Sequence, residues 1–189
     1  MPQKQPGLCP ECSQAPPHFQ ALRSWLVFEG PIRKALHRLK YRRDLGLGDA
    51  LAKAMADWVA RLNWQADLIL PVPLGEKRYL ERGYNQVALV AWPLAAQLGW
   101  RYVPQGLVRS RETASQVGLS ALERKENVAG AFRADPRRIS GRTVIVMDDV
   151  ATTGATLSAC AQALLDAGAK QVYALTIART LPHHGLKIV

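Results

Sequence analysis

The sequence predicts an α/β domain with a central, mostly parallel sheet flanked by helices, behind a short N-terminal segment. Three stretches carry that expectation. Thr143-Val144-Ile145-Val146-Met147 is apolar without alternation and largely β-branched, the pattern of a strand covered on both faces. Helical periodicity follows over 155–167, with a stop at Gly168 and a second apolar strand over 172–178; strand, helix, strand at this spacing implies parallel pairing through a right-handed crossover. Earlier, Asp67 to Pro73 reads as a strand stopped by prolines. A polar basic loop to Gln86 comes next, then a helix over 86–98 with Gly99 in the C-terminal capping position.

The remaining elements fall between these. Residues 1–20 are proline-rich, contain Cys9 and Cys12, and show little apolar periodicity, so they read as a tail or as part of a small metal-stapled module ahead of a domain over 21–189. Ile32, Ala35, Leu36 and Leu39 share one face of a predicted helix, with Arg33, Lys34, Arg38 and Lys40 around the other. Leu47, Leu51, Met55, Trp58 and Leu62 repeat at helical spacing and predict a second helix. Leu107-Val108 is a weak strand signal. Ser120-Ala121-Leu122-Glu123 has the spacing of a capping box and starts a predicted short helix through Val128.

The 189 residues are 48% hydrophobic and 21% charged, enough for one substantial core. No apolar run approaches the roughly 20 residues that span a bilayer, and the N-terminus lacks the apolar stretch of a secretory signal, so a cytoplasmic protein without membrane insertion is expected. Lys and Arg number 25 against 15 Asp and Glu, a net charge of +10, which favours polyanionic partners: nucleic acid, phosphorylated metabolites, or both. Three cysteines, two in a C-x-x-C and Cys160 in an apolar stretch, do not make a disulfide framework.

The chemistry concentrates in Val144-Ile145-Val146-Met147-Asp148-Asp149-Val150-Ala151-Thr152-Thr153-Gly154-Ala155-Thr156. A buried strand delivers two adjacent carboxylates and then a loop of small hydroxyl and glycine residues that opens a helix. Ligands of open α/β sheets bind at the carboxyl ends of strands, where this loop sits. Small side chains let the backbone approach a ligand, and free N–H donors at a helix N-terminus suit a phosphate. Asp148 and Asp149 repel a phosphate but accept hydrogen bonds from the vicinal hydroxyls of an attached sugar. Together these residues describe a sugar-phosphate site. The competing reading makes Asp149 a helix cap and Thr-Thr-Gly plain turn chemistry.

Four apolar residues, two acids, two apolar residues and T-T-G-x-T resemble the phosphoribosyl pyrophosphate (PRPP) motif of type I phosphoribosyltransferases. Pro71-Val72-Pro73-Leu74, Arg82-Gly83-Tyr84-Asn85-Gln86, Arg111 through Gln116, and Arg124-x-x-Asn127-Val128-x-Gly130-Ala131-Phe132 resemble successive blocks of the ComF/GntX family of competence-associated phosphoribosyltransferase-like proteins. The resemblance runs from about residue 9 to 180. It implies the type I phosphoribosyltransferase fold, with Asp148 and Asp149 on the ribose hydroxyls, and Ala151, Thr152, Thr153, Gly154, Ala155 and Thr156 forming the PRPP loop. Val72, Pro73 and Leu74 would line the pyrophosphate pocket, and Arg111 and Gln116 would belong to a loop that closes over the substrate. Magnesium would arrive with PRPP.

Arg82 reads equally as a solvated charge or as a pyrophosphate or DNA contact, and Asn85 as a helix N-cap or a residue orienting its loop. The stretch from Arg109 to Gly118 has the composition of either a lid or a surface loop. Thr152 stands where purine-salvage members of the fold carry an acid, so no general base is identified. Cys9 and Cys12 supply two of the four ligands of a structural zinc and resemble the last pair of a zinc ribbon. The basic helix from Arg33 to Arg43, with Tyr41, has the charge to follow a nucleic-acid backbone or simply to face water. Trp25, Phe28 and Trp64 read as core rather than as stacking platforms. The expected function is therefore a PRPP-binding, ComF-type protein of DNA uptake with single-stranded DNA and competence-machinery proteins as partners. The alternatives are a true salvage or biosynthetic phosphoribosyltransferase, or a non-catalytic adaptor for single-stranded DNA.

Overall fold

The structure is a computed structural model that describes residues 16–111 and 121–181. In chain order the elements are β1 (Leu22–Val27), α1 (Gly30–Arg42), α2 (Leu45–Ala60), β2 (Leu68–Pro71), α3 (Glu76–Arg82), α4 (Ala88–Leu98), β3 (Arg101–Tyr102), a 3₁₀ turn (Pro104–Gly106) and β4 (Leu107–Arg109). There follow α5 (Ala121–Val128), β5 (Phe132–Ala134), α6 (Pro136–Ile139), β6 (Thr143–Ala151), α7 (Ala155–Asp166) and β7 (Gln171–Arg179). Five strands form one sheet in the order β1-β7-β6-β2-β3, and β4 and β5 pair separately. Every pair in the large sheet is parallel, and β4 with β5 is antiparallel.

The predicted central strand is the middle of the sheet because its side chains serve two cores at once. Val144 and Val146 point to one face, with Leu68, Leu70 and α7 residues Leu157, Cys160 and Leu164. Ile145 and Met147 point to the other, with Ile69, Leu175, Leu36 and Leu39 of α1, Met55 of α2 and Leu94 of α4. Period-two alternation of a strand thus divides one apolar run between two helical layers. On the second face, a Cβ on Gly48 would stand 2.6 Å from the carbonyl oxygen of Leu89, so the absence of a side chain lets α2 and α4 touch. No helix among the described residues is long and apolar enough to cross a membrane.

Three features differ from the sequence reading. Leu22–Val27 is a strand, hydrogen-bonded along β7 from Leu22↔Ala174 to Val27↔Arg179. The expected loop before Gln86 contains α3, which buries none of its residues and so has no apolar periodicity to betray it. β6 runs through both acids to Ala151, because β7 still offers partners opposite Asp148, Val150 and Ala151. Trp25, Phe28 and Trp64 pack against the second core as expected.

Candidate functional site

Register places the site. Pro71 pairs with Met147, Val72 N–H donates to the Met147 carbonyl at 2.8 Å, and Asp148 lies opposite Thr176. β2 therefore ends where the acids begin, while β6 and β7 run on together to Ala151 and Arg179, and the sheet brings the Val72-Pro73-Leu74 turn beside the two acids. Val72 itself is buried, so it shapes this corner through its backbone.

Asp148 and Asp149 are consecutive strand residues with different surroundings. One Asp148 oxygen, Oδ1, accepts from its neighbour's N–H at 2.8 Å, and Asp149 Oδ1 accepts from Val150 N–H at 3.0 Å. Asp149 is 7% exposed. Its second oxygen, Oδ2, is buried and accepts no hydrogen bond, yet the Lys40 ammonium stands 2.6 Å away as an ion pair lacking hydrogen-bond direction. Burial, and then the charge of Asp149, push the Asp148 carboxyl well above the usual carboxylate range. The two carboxylates thus lie beside one ammonium, which is paired with Asp149.

The loop after the acids has the form its composition predicts. Ala151 is buried, Thr152 and Thr153 are exposed, and Gly154, Ala155 and Thr156 are half-buried. Gly154 is the N-cap of α7 at φ +80°, with no side chain capping the helix. A Cβ there would meet only Phe19 and Leu22 at ordinary contact distance, so the left-handed backbone, not space, calls for glycine. Asp149 is not a helix cap, which removes the competing turn-chemistry reading for that residue. Thr153 Oγ1 accepts from Ala155 N–H at 3.3 Å. Amides at a helix start next to exposed hydroxyls are chemically suited to an anion.

The Arg82-Gly83-Tyr84-Asn85-Gln86 block does different work. Tyr84 O–H donates to the Leu39 carbonyl at 2.7 Å and accepts from Arg43 N–H at 2.9 Å, so it ties down the last turn of α1. Asn85 donates to the Val72 carbonyl and accepts from Val87 N–H, both at 2.9 Å, orienting the loop against β2. Arg82 donates to Gln86 Oε1 at 2.8 Å and lies 5.5 Å over the Tyr41 ring. Arg111 donates to the Asn127 and Ala129 carbonyls at 3.1 and 2.8 Å, closing the end of α5. Gln116, Cys9 and Cys12 lie outside the described residues.

Sequence reasoning missed Lys40, which it set on the polar face of α1. The residue is half-buried, and the available signal was its position four residues after the buried Leu36, on the same helical face. The rest of α1 fits its basic reading: Gly30, Arg33, Lys34, His37, Arg38 and Arg42 line an open groove of about 580 Å³. Tyr41, 64% exposed, lies between His37, at 4.5 Å, and Arg82.

The model of the phosphoribosyl transferase domain matches residues 88–185, more than half of the chain and all of the acid pair, loop and α7. The chain is 37% identical over 187 residues to the DNA utilization protein YhgH of Salmonella typhimurium, covering 96% of this chain and 82% of that protein. It belongs to the ComF/GntX family of phosphoribosyltransferase-like proteins. Another member, Competence protein F of Haemophilus influenzae, is 29% identical over 178 residues, covering 90% of this chain and 78% of that protein. Among solved structures, adenine phosphoribosyltransferase from Thermoanaerobacter pseudethanolicus aligns with 72% of this chain and 83% of its own, at 17% identity and a TM-score of 0.45. The type I phosphoribosyltransferase fold expected from the sequence is that of this ComF/GntX member.

Proposed function

We propose that this ComF/GntX protein binds magnesium PRPP at the carboxyl end of β6 and acts in the cytoplasm on DNA taken up from outside. The observation that carries the ligand is the pair of adjacent carboxylates at the end of β6, matched by a single ammonium, Lys40 on Asp149, and followed directly by the small-residue loop that opens α7. Two carboxylates beside one ammonium retain acceptor capacity for further donors. Sugar hydroxyls supply donors to Asp148 and Asp149, while the amides and hydroxyls of Thr152 to Thr156 receive the 5-phosphate. The donor set also fits magnesium. Carboxylate oxygens are the ligands it prefers, and the ion would be held chiefly by ligand phosphates and water. When bound, the ion would neutralise pyrophosphate charge.

The test is calorimetric titration of PRPP, with and without magnesium, on the wild type and on Asp148→Ala/Asp149→Ala. The expected result is magnesium-dependent binding that weakens about 100-fold or more in the double variant, the effect of losing charged acceptors. Absence of binding to the wild type would overturn the reading.

The groove on α1 supports the second half of the proposal. Five cationic or basic side chains line it, and Tyr41 adds a stacking surface beside it. Single-stranded DNA is the expected occupant, consistent with the names its relatives carry. Arg33→Ala/Arg38→Ala/Arg42→Ala should weaken binding of a fluorescent oligonucleotide and flatten its salt dependence by about two to three phosphate contacts' worth of slope. An unchanged slope would move the DNA surface elsewhere.

A further inference from the structure

The ion pair between Lys40 and Asp149 joins two parts of the molecule that the PRPP reading leaves separate. Lys40 comes from the inward face of the helix whose outward face carries the basic groove. Its ammonium approaches the one Asp149 oxygen to which no hydrogen bond is made. Among the described residues it is the only cation paired with either acid. The backbone beneath it is held, because Tyr84 fixes Leu39 and Arg43 on either side. The side chain is not sealed in: 27% of it remains exposed, against 10% of Asp149. A four-carbon stem on a fixed turn, with water at its tip, can exchange partners without moving the helix.

We propose that Lys40 is an exchangeable counter-ion that closes the acid pair in the ligand-free protein and makes entry of a divalent cation depend on an anionic ligand. The inference rests on the PRPP reading for the identity of that ligand. A cation alone must evict the ammonium from Asp149 and shed some of its own water, and the evicted ammonium gains nothing in exchange. A cation arriving with a sugar pyrophosphate brings hydroxyl donors for the acids, and its phosphates give the released ammonium a new partner. Lys40 therefore rejects free metal and admits the complex. It is a positioning residue that selects which form of the ligand enters.

The test uses manganese alone as the probe, with the bound ion read by electron paramagnetic resonance, on the wild type, Lys40→Met, Lys40→Arg and Lys40→Met/Asp149→Asn. Lys40→Met should bind manganese tighter than the wild type by about tenfold or more, because a unit positive charge beside the site has gone. Lys40→Arg should resemble the wild type, and the double variant should lose the gain. Equal manganese affinity in Lys40→Met and wild type would overturn the proposal. Should Lys40→Met fail to fold, reductive ¹³C-methylation of wild-type lysines gives a second readout. The Lys40 resonance should move with magnesium PRPP and stay in place with magnesium alone; movement with magnesium alone, or no movement with the complex, would overturn the proposal. If the wild type binds no PRPP while Lys40→Met gains manganese, the counter-ion role stands and the PRPP reading falls. If the wild type binds PRPP and Lys40→Met gains no manganese, the counter-ion role falls and the PRPP reading stands.

Discussion

Two polar corners meet at the carboxyl end of the sheet, and they differ in how completely their hydrogen bonds close. In the Tyr84–Asn85 corner the phenol and the amide each donate once and accept once within the protein. In the acid-pair corner one carboxylate oxygen accepts no hydrogen bond, and its neighbour's carboxyl is held away from its ordinary ionisation. Both corners belong to sequence blocks that resemble the same family. The difference teaches that one family's blocks can close their polar groups within the fold or hold them in an exchangeable ion pair, and that only the structure sorts them.

That contrast predicts opposite signs for substitutions in the two corners. The largest effects belong to the satisfied corner. Asn85→Ala leaves the Val72 carbonyl and Val87 N–H unmet and should cost about 2 kcal/mol of stability, with Tyr84→Phe costing about 1 kcal/mol, both read from urea unfolding. Stability losses below a few tenths of a kcal/mol in both would erase the distinction. The smaller effect belongs to the acid pair and has the other sign. Since burial raises the folded carboxyl of Asp148 above its ordinary 3.8, its ionisation opposes folding. Its favourable contribution is complete below that ordinary value and drains away as the pH climbs through the raised one. Asp148→Asn removes the titration, so the variant should be more stable than the wild type by about 1 kcal/mol at pH 7, with the gain vanishing near pH 4. Stability that is equal at pH 7, or a gain that grows as the pH falls, would contradict it. The same variant should lose PRPP affinity, which separates stability from binding at one residue.

Most of the sheet's interior was legible because its signal is local. Thr143 to Met147 needs no knowledge of its neighbours to read as a doubly covered strand, and the α7 and β7 periods follow directly. The acid pair and the Thr152–Thr156 loop were legible for the same reason, since the motif is continuous in sequence. What escaped depends on partners far along the chain. The residues of β1, Leu-Arg-Ser-Trp-Leu-Val, become a strand only against β7. β6 extends past Met147 only because β7 continues beside it. α3 is helical but exposed all round, so its residues carry propensity without pattern. Lys40 is one of six basic residues between Arg33 and Arg43. Only its packing against the sheet end distinguishes it.

The pairing of β1 with β7 also sets an order of events. Ser24 and Thr176, hydrogen-bonded at 2.7 Å across that pair, are 152 positions apart, so among the described residues β1 pairs only with a strand far along the chain. Until the two meet, its ladder of backbone groups stays open, and closing so long a loop is a late, slow step in folding. Phe19 and Leu22, which underlie Gly154, enter with that same strand. The loop that opens α7 therefore gains its floor only when the edge strand docks, so the candidate site is completed by a long-range pairing rather than by a local module that folds ahead of the rest.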